Sequence, residues 1–151
     1  MRLLALVLAC ALLGATPAAA QITNTGIRNL DFGPVIIGIA KHIGPSDPVR
    51  SGQFRFTAPL TARVRLQFTL PTRLDGPANA RLPISFNGTD GIATGTAANS
   101  VPVTFDPRTA QTFQIVTSTT IHVFIGGTVT PANNQRLGSY TGTITLTVTL
   151  L

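Results

Sequence analysis

The chain has 151 residues, of which 44% are hydrophobic and only 11% are charged, and its formal net charge is +6. All five acidic residues are Asp, ten of the eleven basic residues are Arg, and the single cysteine is Cys10. This composition, rich in Thr with Gly and Pro spread along the chain, is typical of an all-β secreted domain and argues against a helical one. It also excludes a disulfide framework, and a metal centre built on several cysteines.

The first twenty residues have the pattern of a secretory signal peptide. A positive residue, Arg2, precedes an apolar run from Leu3 to Ala15, and the small residues Ala18, Ala19 and Ala20 follow. We predict cleavage after Ala20. The apolar run is too short to span a bilayer and no later run replaces it, so we expect no transmembrane segment. The mature protein is then exported to the periplasm, the outer surface or the extracellular space.

Cys10 lies inside this predicted signal and has two interpretations. Val7-Leu8-Ala9-Cys10 loosely resembles a lipid-attachment motif, but another apolar stretch follows it instead of a polar tether. We therefore favour an apolar filler of the signal. Residues 21–151 remain as a single domain with a net charge of +5, because ten basic residues face five acidic ones once Arg2 is removed.

The first half of this domain alternates between apolar and polar residues in several places. After a polar lead-in at 21–27, we predict strands at 28–32, with Leu30 and Phe32 facing inward, and at 35–38. Residues 44–52 are a loop by composition. Two further strands are predicted at 53–57 and 62–70, and we expect them to pair as neighbours in an antiparallel hairpin.

The second half continues in the same way. A short strand is predicted at 83–86, a polar and mobile loop at 89–100, and an edge strand at 101–105, because Pro102 cannot donate to a neighbour. Strands follow around Phe113 and over 121–125. The last strand has the clearest pattern of all, since four apolar residues alternate with four threonines over 143–150.

These eight to nine short strands are separated by turn residues roughly every 8–12 positions, which is typical of a β-sandwich. We therefore predict an all-β fold: an antiparallel β-sandwich that follows a cleaved signal peptide and is completed by its own C-terminal strand.

Both ends of the domain resemble a known group of proteins. Leu30-Asp31-Phe32-Gly33 is similar to a strand of pilin-like secreted bacterial domains. Residues 124–129, Asn134-Gln135 and 138–148 resemble a pilin-like bacterial family of unknown function, which is similar to spore coat protein U domains and, more distantly, to chaperone–usher pilins. The residues that carry the resemblance, and that we expect to define the fold, are Leu30, Phe32, Gly33, Gly126, Gly127, Gly138, Tyr140 and Gly142.

The resemblance implies an immunoglobulin-like sandwich and a non-enzymatic structural or adhesion role at the cell surface, with self-association or other surface proteins as partners. Two departures matter. Chaperone–usher pilins usually carry a disulfide, and this mature chain has no cysteine. They also donate an N-terminal strand to a neighbour, whereas residues 21–27 are polar, so we expect a self-sufficient fold instead of polymerisation by strand donation.

The most unusual feature of the composition is a cluster of arginines. Six arginines and one acid, Asp75, lie within the 32 residues from Arg50 to Arg81. If 53–57 pairs with 62–70, Arg55, Arg63 and Arg65 share one solvent face, where guanidinium groups could bind an acidic glycan or the phosphates of lipopolysaccharide. The alternative, which we favour, is that they only keep an exposed strand face soluble. Nucleic acid is not an expected ligand, because one Tyr and no Trp offer no stacking platform.

No catalytic, cofactor or metal site is predicted. His42 and His122 are the only histidines, and we interpret both as surface residues. None of the six serines after residue 20 has the sequence context of an activated nucleophile. Four of the five Asp lie in or beside turns, where their backbone role is expected. We expect Tyr140 to pack its ring at the start of the last strand and to donate a hydrogen bond to a loop carbonyl.

Overall fold

A computed structural model describes residues 22–97 and 100–151. The predicted signal peptide, its cleavage position and Cys10 lie outside the described residues. Within them the fold is all-β, with twelve strands, one 3₁₀ turn at Pro77–Asn79, and no helix long and apolar enough to cross a membrane. The prediction of an all-β antiparallel sandwich is confirmed.

The strands form three antiparallel sheets. The five-stranded sheet has the order β1 (Thr23–Arg28), β3 (Gly52–Thr57), β10 (Thr120–Ile125), β7 (Gly91–Gly95) and β8 (Val103–Phe105). The three-stranded sheet has the order β12 (Thr145–Leu150), β4 (Arg63–Thr69) and β9 (Gln111–Gln114). The four-stranded sheet has the order β2 (Lys41–Ile43), β11 (Gly127–Val129), β6 (Arg81–Ser85) and β5 (Arg73–Asp75).

Two apolar clusters form the core. The first lies between the five-stranded and three-stranded sheets, where Phe56 of β3 and Val123 of β10 meet Val64 and Leu66 of β4. The second is built mainly on the four-stranded sheet, from Phe32, Ile43, Leu82, Ile84, Phe86, Ile125 and Val129. Phe54 and Phe68 pack against both clusters, with their rings edge to face and their centroids 5.7 Å apart. The two clusters are therefore continuous.

The predicted hairpin of 53–57 with 62–70 is wrong. β3 pairs with β1 and β10, whereas β4 pairs with β9 and β12. The intervening residues cross from one sheet to the other. They are tied there by backbone hydrogen bonds from Ala58 N to Thr119 O and from Thr61 N to Ile115 O. Alternation along a strand predicts which face is buried but not which strand lies beside it, and this explains the error.

Three other predictions fail for local reasons. Residues 28–32 do not form a strand, because β1 already ends at Arg28. Phe32 is nevertheless buried and Leu30 is half-buried, as expected. The apolar run 35–38 is a turn with exposed isoleucines. The predicted loop 89–100 contains β7, whose small residues give no alternating signal; Ala98 and Asn99 lie outside the described residues.

The C-terminal strand is shorter than predicted but faces the expected way. β12 covers Thr145–Leu150, with Leu146 buried and the three threonines exposed. It forms an edge of the three-stranded sheet, paired with β4 from Leu146↔Phe68 to Leu150↔Val64. β8 is likewise an edge strand, as Pro102 predicted.

The glycine pair Gly126-Gly127 lets one stretch of chain take part in two sheets. β10 ends at Ile125 and β11 begins at Gly127, so the chain leaves the five-stranded sheet and enters the four-stranded sheet across one residue. A Cβ on Gly126 would overlap the carbonyl oxygen of Ile43. Only glycine fits at this crossing without a shift of backbone.

We predict that Gly126→Ala lowers the free energy of unfolding by about 2 kcal/mol or more, because backbone on one side of the crossing must move to admit the methyl group. Gly26→Ala is the matched control, since a Cβ there meets nothing within 4 Å, and we expect a change within about 0.5 kcal/mol. Urea unfolding of both variants measures the difference. Equal effects of the two substitutions would contradict this account of the crossing.

Candidate functional site

The predicted arginine face is divided between two sheets. Arg55 lies on β3, opposite Thr25 of β1 and His122 of β10. Arg63 and Arg65 lie on β4, opposite Gln114 and Thr112 of β9. All three are exposed.

The inward residues of the same two strands share one core between the facing sheets. Arginines that alternate with them therefore point away from that core on opposite sides. Arg63 and Arg65 remain together on the outer face of β4, while Arg55 is on the other side of the sandwich. The predicted single face of Arg55, Arg63 and Arg65 is therefore not formed.

A cleft of about 800 Å³ lies beside the second core cluster. Its apolar lining comes from β3, β5, β6 and β10 and from the connections before β2 and before β12. The apolar residues that line it are Leu30, Phe32, Val35, Ile37, Phe54, Pro71, Leu74, Leu82, Ile84, Ile125, Pro131, Leu137, Tyr140 and Ile144. A volume of this size lies within the range of ordinary ligand-binding clefts.

Exposed apolar side chains stand at the rim of this cleft. Ile36 is 68% exposed, and its neighbours Ile37 and Ile39 are exposed as well. Across the cleft, Leu137 is 80% exposed. The two rim segments are close together, because a Cβ on Gly38 would overlap the side chain of Asn133. Ile37 and Leu137 line the cleft, and Ile36 and Ile39 are exposed beside Ile37 in the chain. We call these four residues the apolar rim: Ile36, Ile37, Ile39 and Leu137.

One side of the cleft is fixed by arginines that bind backbone carbonyls. The Arg28 guanidinium donates to Ser51 O and to Ser51 Oγ, both at 2.8 Å, and to the carbonyl of Pro48. Arg50 donates to Phe32 O at 3.1 Å, and its guanidinium lies against Gly33, whose φ of +57° also favours glycine. The guanidinium groups of Arg28 and Arg50 are therefore engaged in hydrogen bonds within the domain.

Asp47 organises the loop to which Arg28 binds. Its carboxylate accepts the backbone N–H groups of Val49 at 2.9 Å and Arg50 at 2.8 Å. The N–H of Arg50, followed by that of Val49, holds the pKa of Asp47 below its ordinary value of 3.8. These hydrogen bonds stabilise the loop at 44–52, which in turn binds Arg28 at the cleft wall.

The opposite wall is the long connection 130–144 between β11 and β12, which we call the strap. Its backbone makes a two-residue bridge with β5, from Asp75 N to Thr141 O at 2.8 Å and from Thr141 N to Asp75 O at 2.9 Å. Connections of this length inside compact domains are uncommon and often functional.

Tyr140 anchors the strap, as the sequence led us to expect. Its hydroxyl donates to Arg136 O at 2.7 Å and accepts from Gln135 Nε2 at 2.6 Å. Gln135 Nε2 also lies 3.1 Å from Arg81 O. The Tyr140 ring covers Gly76, where no Cβ would fit.

The other expected glycines also lie at close contacts of this wall. Gly142 is packed against the Leu74 side chain, and Gly138 has a φ of +145° and lies against Pro77.

A polar cluster that the sequence did not predict lies on the four-stranded sheet side. His42 Nδ1 is 2.9 Å from Thr128 Oγ1, and His42 Nε2 is 3.8 Å from Asp90 Oδ1. Asp90 is 1% exposed and accepts the backbone N–H of Asn87 at 2.7 Å, while its own carbonyl accepts from Gly126.

The 3.8 Å separation is longer than a hydrogen bond, so Thr128, His42 and Asp90 do not form a relay that could activate the hydroxyl. Asp90 instead holds its turn against the sheet crossing. His42 and Asp90 are 48 positions apart, and β2 is too short to be recognised, so the sequence carries no signal of their proximity.

The described residues contain no group of three or more His, Cys, Asp or Glu that could hold a metal ion. The remaining acids make local contacts. Arg108 binds both carboxylate oxygens of Asp106, and this side-chain hydrogen bond is the main reason that the pKa of Asp106 lies below 3.8.

We predict that Tyr140→Phe lowers the free energy of unfolding by about 1 kcal/mol, because it removes two hydrogen bonds while the ring still covers Gly76. Hydrogen exchange should become faster first at the Thr141 amide, whose partner is the carbonyl of Asp75. An unchanged exchange rate at Thr141 would show that the hydroxyl does not anchor the strap.

Comparisons of this chain with protein-family models, with curated proteins and with solved structures find no match.

Proposed function

We propose that this protein is a non-enzymatic, secreted or cell-surface structural or adhesion component of pilin-like or coat-like type, and that its copies associate through the cleft and its apolar rim. The class of protein comes from the signal peptide and from the motifs at 30–33 and 124–148. The mode of association comes from the geometry of the cleft.

The observation that carries the proposal is the apolar rim beside an apolar cleft. Exposed apolar surface is costly in water, and contiguous patches of it mark interaction sites in soluble proteins. Ile37 and Leu137 are exposed at the border of the cleft, whereas the lining behind them is concave. One surface thus offers both a projecting apolar group and a receptacle, which a second copy of the chain can use reciprocally.

The edge strands β1 and β12 contact each other and leave backbone groups without a strand partner, which favours a polypeptide partner. Among the described residues, β1 pairs only with β3 and β12 pairs only with β4, so each has one edge without a strand partner. One backbone group at these edges is already satisfied, because Asn24 Nδ2 of β1 donates to Leu146 O of β12 at 2.6 Å. The other groups on such edges can accept a strand from another chain, whereas a small apolar ligand would leave them unused.

The N-terminal segment is not the donated strand in this proposal. Residues 23–28 already pair with β3 from Thr23↔Thr57 to Arg28↔Gln53. Donation of this segment to a neighbour would first require β1 to leave its own sheet. We infer association between complete domains.

We predict that wild-type protein self-associates with rising concentration and that the double variant Ile37→Asp/Leu137→Asp stays monomeric, because two carboxylates would be desolvated in the interface. Analytical ultracentrifugation measures this. Val116→Asp is the control, since Val116 is 68% exposed but lies in a different groove. A wild-type monomer at every concentration, or equal loss of association in the control, would contradict the proposal.

A second candidate function is a monomeric module that binds acidic glycans or envelope phosphates through exposed arginines. The observation in its favour is that Arg55, Arg63 and Arg65 have no carboxylate within 4 Å among the described residues, whereas Arg73 and Arg108 do. Unpaired guanidinium groups are available to external anions.

We predict for this candidate that replacing Arg55, Arg63 and Arg65 together by Gln weakens retention on a heparin column, measured as the salt concentration of elution. Unchanged elution would remove these arginines from consideration.

A further inference from the structure

The outer face of the five-stranded sheet carries an aromatic group that the core does not explain. Val123 and Ile125 of β10 point into the core and are fully buried, so His122 and Phe124 point outward from the same strand. Both are half-buried, although a solvent-facing strand in the centre of a sheet usually carries polar residues. Phe124 lies opposite Gln53 on one side and Ile92 on the other.

The side chains around Phe124 are held in a fixed arrangement. Gln53 Nε2 is 2.9 Å from His122 Nδ1, and the His122 and Phe124 rings are stacked with centroids 6.3 Å apart and an angle of 22° between their planes. This contact between Gln53 and Nδ1 fixes the orientation of the His122 ring. The other ring nitrogen, Nε2, is thereby left for a ligand beside the aromatic ring.

Arg55 completes the group, since it lies directly opposite His122 in the register of β3 and β10. It is exposed, and no carboxylate lies within 4 Å of it in the described part of the chain. We call Gln53, Arg55, His122 and Phe124 the sheet platform. It combines one apolar ring, one imidazole ring and one cation on the outer face of the sheet.

We propose that the sheet platform binds an acidic sugar residue of a polysaccharide. The apolar C–H face of a pyranose ring would lie on Phe124, a sugar hydroxyl would form a hydrogen bond with His122 Nε2, and the sugar carboxylate would bind the Arg55 guanidinium through two parallel hydrogen bonds. This inference rests on the second candidate function, which it narrows to one ligand class, and it moves the site away from Arg63 and Arg65.

The single positive charge of the platform favours an acidic sugar over other polyanions. Nucleic acid binding requires several cations along a backbone, but Arg55 is the single guanidinium of the platform, and the nearby Arg28 is bound to carbonyls of its own chain. A neutral sugar would use Phe124 and His122 but would leave Arg55 without a partner. An acidic hexose satisfies all three groups at once.

The test is calorimetric titration of the purified protein with oligogalacturonate, and with a neutral galactose oligomer of equal length. Arg55→Gln and Phe124→Leu should each weaken oligogalacturonate binding about tenfold or more. The double variant Arg63→Gln/Arg65→Gln is the matched control and should change it less than about twofold. Phe124→Leu keeps an apolar group of similar size on the outer face, and an unchanged thermal midpoint verifies that each variant is folded.

The results separate the two levels of the proposal. Loss of binding in the Arg63/Arg65 double variant but not in Arg55→Gln would overturn the sheet platform and leave the second candidate function standing on the other sheet. Absence of any oligogalacturonate binding by wild type also overturns the platform; the heparin column then decides the second candidate function separately. Equal binding of the neutral oligomer would overturn the role of Arg55.

Discussion

The fold depends on the close approach of the Gly126 backbone to the carbonyl of Ile43. On one side of this contact Val123 enters the core between the two facing sheets, and on the other side Val129 enters the core of the four-stranded sheet. The residues that flank the crossing, Ile125 and Val129, are completely buried. With no cysteine after residue 10, the two cores are held together by packing alone, and the crossing is where that packing leaves least room.

The cleft is a consequence of how the second core is covered. The chain after β11 does not return as a strand but runs as the strap, which touches the core through Tyr140 and Ile144 and is fastened to β5 at Thr141. The loop held by Arg28 and Arg50 forms the other wall. An apolar interior is thus exposed along a groove between two well-anchored walls. A groove of this kind is the surface through which we propose that the domains associate.

The alternating segments were the most predictable part of the fold. β4, β10 and β12 have the expected inward faces, because period-two burial leaves a direct mark on the sequence. Strand pairing leaves no comparable pattern in the sequence, so β3 and β4 were predicted to be neighbours although they belong to opposite sheets. The residues of β1 are polar because it is an edge strand. The side chains of β7 are small because Gly91 and Ala93 pack against larger neighbours such as Phe105. Neither composition resembles a strand in isolation.

The candidate site was less predictable for the same reason. Phe32, Tyr140 and the glycines of the walls were identified through the family resemblance, but the cleft between them arises from contacts distant in the chain. The apolar run 35–38 was expected to form a short strand, whereas its exposure follows from the turn that it forms instead. The sheet platform unites β3 with β10, whose residues are about 70 positions apart, and only the register of the sheet brings Arg55 beside His122.

The most direct test of association through the cleft uses the absence of cysteine from residues 21–151, which are expressed without the first twenty residues. Leu137→Cys and Val116→Cys each introduce one thiol, to which a nitroxide spin label can be attached. If copies associate through the cleft, labels at position 137 should show intermolecular dipolar coupling that grows with protein concentration, and labels at position 116 should show markedly less. Coupling that is absent at 137, or equal at both positions, would contradict the proposed interface.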